Sequence, residues 1–251
     1  MVGVRLGLVT GLVSVVVLLA VLGMAPGVGR VGWIVGLACA CVLAGSAACR
    51  AGVDRVMTLG PADLVTLTRA VLACGVAALA AESLVTDTEV GGTLVPLAVV
   101  ALALDFVDGR VARRTGTASA YGARLDGEAD AFLILVLSVH VASSAGSWVL
   151  AMGVVRYAYA VATWVLPWMQ QPLPPRYWRK VVAAFVGTVL VVAASGSAPD
   201  PVTYAALVAA GLLLAESFGW DVVWLWRRRP TRMNRTAGRP VLPGKALDRS
   251  R

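Results

Sequence analysis

The chain has 251 residues, of which 59% are hydrophobic and 14% charged, and its net charge is +8. A soluble domain carries roughly 25% charged residues, so this composition excludes an ordinary soluble fold and predicts an integral membrane protein. The positive balance does not predict nucleic-acid binding: the arginines lie between apolar stretches and in the C-terminal tail, where they set topology and meet anionic membrane lipid.

A bilayer-spanning helix needs about 20 mostly apolar residues. Eight segments qualify, near residues 5–25, 31–50, 61–82, 92–113, 119–141, 147–168, 178–196 and 202–226. The predicted fold class is therefore all-α, a polytopic membrane helix bundle. The first segment begins like a signal peptide, with Arg5 before an apolar run. That run is longer than a usual signal core and its exit, Gly23-Met24-Ala25-Pro26, is a poor cleavage site, so an uncleaved helix is expected. Cys39, Cys41, Cys49 and Cys74 lie in or beside apolar segments with no CxxC pair, and read as small packing residues.

The connecting segments alternate in charge. Arg50 and Arg55, Arg113 and Arg114, and Arg176, Arg179 and Lys180 occupy one set, with the Arg-rich tail after Trp226. The other set carries Glu82, Asp87 and Glu89, or Asp200, with Arg30 the exception. The positive-inside rule puts the basic set and both termini on the cytoplasmic side of the cytoplasmic membrane. Trp220, Trp224 and Trp226 beside the tail suit an interfacial aromatic belt. The tail, 227–251, is basic and lacks apolar periodicity, so a disordered, membrane-associated segment is expected.

The informative stretch joins segments four and five. Asp105 and Asp108 are three apart near the end of one helix; Asp126 and Asp130 are four apart at the start of the next. Each pair shares a helix face. The short polar connection from Arg114 to Ser119 predicts antiparallel neighbours, which brings both pairs to one depth. Carboxylates at a bilayer are costly unless paired or bound to a cation. Oxygen-only ligation suits Mg²⁺ or Mn²⁺ with positions left open for phosphate oxygens. Gly109 and Gly122 leave room for a bulky group against backbone, and Arg113, one turn after Gly109, reaches the same space with a guanidinium suited to a diphosphate. A lone DxxD at a helix end is usually a solvated cap or an ion pair. Here eight fixed positions coincide over residues 105–130, a chance on the order of 10⁻⁹ per start position.

The string Asp105-x2-Asp108-Gly109-x2-Ala112-Arg113-x8-Gly122-x3-Asp126-x3-Asp130 resembles the full signature of the CDP-alcohol phosphatidyltransferases. The resemblance spans residues 61–226. It implies a six-helix catalytic core at 56–226, preceded by an N-terminal two-helix hairpin and linker at 1–55. It further implies a CDP-diacylglycerol donor, attack by a small alcohol acceptor, and release of CMP. Metal ions, two by the usual logic, would be held by Asp105, Asp108 and Asp126 with Asp130 at the edge of the site and acting as general base. Gly109, Ala112, Arg113 and Gly122 would form the cytidine diphosphate pocket. The stretch Asp63-x2-Thr66-x2-Arg69 is similar to the family's Asn-x-x-Thr-x-x-Arg, with Asp63 in the place of Asn, and adds Asp63 and Thr66 to that pocket. An N-terminal helix cap is the alternative role for Asp63.

For the acceptor, Arg156 in mid-segment and Arg179 and Lys180 at the start of segment seven match the family's basic acceptor residues in place. They favour a phosphorylated polyol such as glycerol 3-phosphate or inositol phosphate. Arg156-Tyr157 and Ala183 depart from the residues of glycerol-phosphate users. The alternatives are a pair between Arg156 and Glu216, and a topological role for Arg179 and Lys180. His140 reads as a polar interface residue. A catalytically silent paralogue and a cation-binding membrane protein are the competing functions. The Gly- and Ala-rich helices suit a homodimer, and equally suit packing within one bundle.

Overall fold

A computed structural model describes residues 2–229 except 25–26, 87–89, 116–118, 172 and 175; the side chains of 106, 108–115, 120 and 177 also lie outside the description. Among the described residues there are eight α-helices: α1 (Val4–Met24), α2 (Arg30–Val53), α3 (Pro61–Thr86), α4 (Gly91–Thr115), α5 (Ala120–Ala145), α6 (Leu150–Val165), α7 (Tyr177–Ser195) and α8 (Asp200–Arg227). Short 3₁₀ turns precede α6 and follow it. Two residue pairs form a small antiparallel ladder, β1 (Val2–Gly3) with β2 (Thr58–Leu59). The chain is a polytopic helical bundle, as the apolar segments predict. Seven helices are long and apolar enough to cross a membrane. The eighth, α4, runs Gly91–Thr115, and its fully described apolar part is Gly91–Asp105.

Helix α3 is central and packs on α1, α2, α4 and α5. Its middle, Ala73-Cys74-Gly75-Val76-Ala77-Ala78-Leu79-Ala80, is wholly buried. Small side chains let neighbouring backbones come close: a Cβ at Gly75 would lie 2.8 Å from Leu18 Cδ2 and 2.9 Å from Leu97 Cδ2. The outward faces remain apolar, as Leu6, Val9, Val13, Val17 and Val21 of α1 illustrate. A continuous apolar exterior of this kind suits lipid rather than water.

The N-terminal hairpin belongs to this core. Val15, Leu19, Leu22, Val28 and Ala40 are buried in one cluster with α3 and the later helices. Glu82 of α3, itself buried, accepts a hydrogen bond from Gly32 N at 2.7 Å in the first turn of α2. A carboxylate there meets the unpaired N–H groups and positive end of the helix dipole. The approach requires glycine: a Cβ at Gly29 would lie 2.5 Å from Glu82 Oε1, and one at Gly32 2.8 Å from Ala78 O.

Helix ends follow local chemistry. Pro61 opens α3, and Asp63 in its first turn accepts from Gly60 N at 2.8 Å, half of a capping box. Ser119 caps α5 by accepting from Gly122 N at 2.9 Å. Gly196 ends α7 with φ 60°, a left-handed position that glycine adopts without strain.

Candidate metal and nucleotide site

The aspartates converge at one end of the bundle. Asp105 comes from α4, Asp126 and Asp130 from α5, and one carboxylate oxygen from each lies within 4.8 Å of the others. The expectation that α4 and α5 pack directly is not met among the described residues. Both pack on α3 from one side and on α7 from the other, with little mutual contact. The carboxylates of α4 and α5 face one another across a space bounded by α3 and α7.

Arg69 of α3 occupies the centre of this space. It is 2% exposed. Its Nη1 lies 3.0 Å from Asp105 and also pairs with Asp126, its Nη2 pairs with Asp130, and its Nε donates to Ala101 O at 3.2 Å. The planar fork thus distributes its donors over two helices, which an ammonium would not do. Three carboxylates against one guanidinium, with Lys180 near Asp105, leave net negative charge among the described groups. An all-oxygen donor set with that residual charge fits a hard divalent cation. Sequence reading found Arg69 in the Asp63-x2-Thr66-x2-Arg69 pattern but assigned it no role. Its spacing from Thr66 was the signal, while its reach to three carboxylates depends on how α3 docks between α4 and α5.

The nucleotide residues divide by what is described. Asp108, Gly109, Ala112 and Arg113 lie on the last turns of α4, and their side chains are outside the described set. Asp63 and Thr66 are buried on α3, and Thr66 Oγ1 donates to Ala62 O at 3.2 Å. Asp63 fills its capping role and also touches α5: a Cβ at Gly122 would collide with Asp63 Oδ1 and stand 3.1 Å from Ser119 Oγ. Gly122 therefore gives the two helix starts their close approach.

The basic residues occupy different positions. Lys180 is exposed at the start of α7 and near enough to Asp105 for their charges to interact. Arg156 of α6 is exposed and makes no ion pair or hydrogen bond among the described residues, and Glu216 is not its partner. Its Nη2 would stand 2.9 Å from a Cβ at Gly127, so the missing side chain between Asp126 and Glu128 seats the guanidinium against α5. Gly127 was not singled out from sequence, because a glycine within a helix carries no signal of what lies above it. Arg179 turns to α8, with Nε 3.1 Å from Asp221 and Nη2 donating to Pro174 O at 2.9 Å. Glu216 instead takes Arg176 at 3.8 Å and accepts from Trp178 Nε1 at 2.8 Å. The three tryptophans near the tail are each covered by an arginine: Arg176 on Trp220, Arg228 on Trp224 and Arg229 on Trp226, at 3.9, 4.1 and 4.5 Å from the ring centres. Residues 230–251 of the tail lie outside the description. His140 sits 3.4 Å from Ser83 Oγ across α5 and α3, a polar interface residue.

The family model for CDP-alcohol phosphatidyltransferase matches residues 59–224. With two thirds of the chain and the whole aspartate region inside the match, this protein belongs to the CDP-alcohol phosphatidyltransferase family. No curated protein and no solved structure matches it. The family membership establishes the general class, a membrane transferase acting on CDP-linked alcohols.

Proposed function

We propose that this protein transfers a phosphatidyl group from CDP-diacylglycerol to a small phosphorylated polyol, with its site on the cytoplasmic face of the cytoplasmic membrane and both termini on that side. The observation that carries this reading is the convergence of Asp105, Asp126 and Asp130 around one buried arginine in a chain of this family. Asp108 completes the carboxylate set. Two Mg²⁺ or Mn²⁺ ions, when bound by these carboxylates, would neutralise the diphosphate and the charge that develops during displacement.

The protein's own residues then divide the remaining work. Asp63, Thr66, Gly109, Ala112, Arg113 and Gly122 hold the cytidine diphosphate, with the contact between Asp63 and Gly122 supporting a pocket made by the starts of α3 and α5. Asp130 accepts the proton of the acceptor hydroxyl. The acceptor oxygen bonds to the lipid-side phosphorus, the bond to the leaving phosphate breaks, and CMP departs. Lys180 beside Asp105, and Arg156 over Gly127, flank the carboxylates from α7 and α6 and suit an acceptor phosphate. Arg179 supports the same turn of α7 through Asp221.

The test is to supply purified protein with CDP-diacylglycerol, Mn²⁺ and glycerol 3-phosphate, inositol 1-phosphate, inositol or serine, and to identify the lipid product by mass spectrometry. A phosphorylated lipid from one of the first two acceptors supports the reading. Product only from inositol or serine refutes the phosphorylated acceptor. No product from protein that binds the donor favours a silent paralogue.

A further inference from the structure

The family match begins at residue 59, so α1 and α2 are an addition to the matched region. The hairpin packs mainly on α3, and several of its polar contacts reach the back of α5, the helix that carries Asp126 and Asp130. Tyr121 OH donates to Ala47 O at 3.2 Å. Arg124 Nη1 lies 3.1 and 3.0 Å from the two oxygens of Asp54. Glu128 pairs with Arg50 and accepts from Ser46 Oγ at 3.4 Å.

At about 100° per residue, Tyr121, Arg124, Leu125 and Glu128 share one face of α5, and Asp126 and Asp130 lie on nearly the opposite face. Val4, Ala47, Ala51, Leu59, Tyr121 and Leu125 form a separate buried apolar cluster beneath these polar contacts. The ladder between β1 and β2, extended by Val4 N donating to Met57 O at 3.2 Å, ties the same region to the residues just before α3. Helix α5 packs on α3, α6 and α7, and the hairpin's polar contacts add a further hold on its first turns.

We infer that the N-terminal hairpin is a brace for the carboxylate site: Arg50 on α2 and Asp54 at its C-terminal cap, with Tyr121, Arg124 and Glu128 on α5, are positioning residues that fix how Asp126 and Asp130 face Asp105. This rests on the reading of those carboxylates as a metal site. Exposed ion pairs are individually weak, so the brace acts through the two pairs together with the buried tyrosine and apolar cluster.

The experiment is direct Mn²⁺ binding, followed by electron paramagnetic resonance of free Mn²⁺, on the full chain in lipid nanodiscs without donor. Arg50→Glu and Glu128→Arg singly should weaken Mn²⁺ binding about tenfold, the scale on which groups supporting metal ligands act. The double swap should recover most of that loss. Tyr121→Phe and Arg124→Gln, mild enough to fold if the reversals do not, should each weaken binding about threefold, below that scale because one contact is lost and the rest remain. Unchanged Mn²⁺ affinity in variants whose melting temperature falls would show a merely structural contact and overturn the inference, as would a double swap no better than its singles. Wild-type protein that binds no Mn²⁺ would refute the metal-site reading and the brace with it. Wild-type protein that binds Mn²⁺ but, when then given CDP-diacylglycerol and the acceptor panel, releases no CMP would refute the transferase reading alone.

Discussion

Replacing Arg69 with methionine removes the positive charge at the centre of the carboxylates while keeping a side chain of similar length. The guanidinium is 2% exposed and touches Asp105, Asp126 and Asp130, which are 22–29% exposed. Removing one partner of a buried ion pair costs about 3–5 kcal/mol, and the partial exposure of the carboxylates puts this case near about 3 kcal/mol. For a chain of this size each kcal/mol moves the melting temperature by about 2–4 °C, so a fall of about 6–12 °C is expected in EDTA. Divalent cation should return most of that loss, because it takes over as counter-charge and its binding energy adds to the folded state. The assay is thermal unfolding of wild type and Arg69→Met in nanodiscs, with EDTA and with Mn²⁺. A variant that melts within about 2 °C of wild type in EDTA, or that gains no more from Mn²⁺ than wild type does, would refute the charge argument.

Gly122→Ala should force Asp63 or Ser119 to move, since the new Cβ meets both. The donor KM should rise about tenfold, equivalent to about 1.4 kcal/mol, with CMP release per bound donor little changed. Glu82→Ala removes the buried acceptor of Gly32 N, so the hairpin should loosen by about 1.5–3 kcal/mol. Limited proteolysis in the connection between α1 and α2 reads this directly, and cleavage at the wild-type rate would count against it. Ser119→Ala should lower stability by about 1 kcal/mol through loss of the α5 cap, measured as a shift in thermal midpoint.

The apolar periodicity made the helices legible almost to their ends: the segment expected at 61–82 is Pro61–Thr86, and that at 178–196 is Tyr177–Ser195. Strong hydropathy and Gly, Pro or charged breaks fix such boundaries locally. The coming together of Asp105, Asp126 and Asp130 was legible too, because helical spacing and a short connection suffice to bring them to one depth. What the sequence did not carry was the third dimension. Direct packing of α4 on α5 was the simplest consequence of a short loop, yet among the described residues the two are joined chiefly through α3 and α7. Arg69 could be placed on a face but not among three carboxylates until the docking of α3 was known. Glu82 read only as a charge of a connecting segment, and its capping of α2 from a neighbouring helix was not legible. Pairings between helices distant in sequence depend on side-chain reach and helix rotation, neither of which periodicity encodes.

CMP release from CDP-diacylglycerol in the presence of Mn²⁺ and a phosphorylated polyol, compared between wild type and Asp105→Asn, Asp126→Asn and Asp130→Asn, is the decisive assay of the proposed transfer. Acceptor-dependent release by wild type is expected, abolished by EDTA and reduced by about 10²-fold or more in each variant, the scale of a lost general base or metal ligand. Release that persists in Asp126→Asn and Asp130→Asn, or that needs no divalent cation, would contradict that proposal.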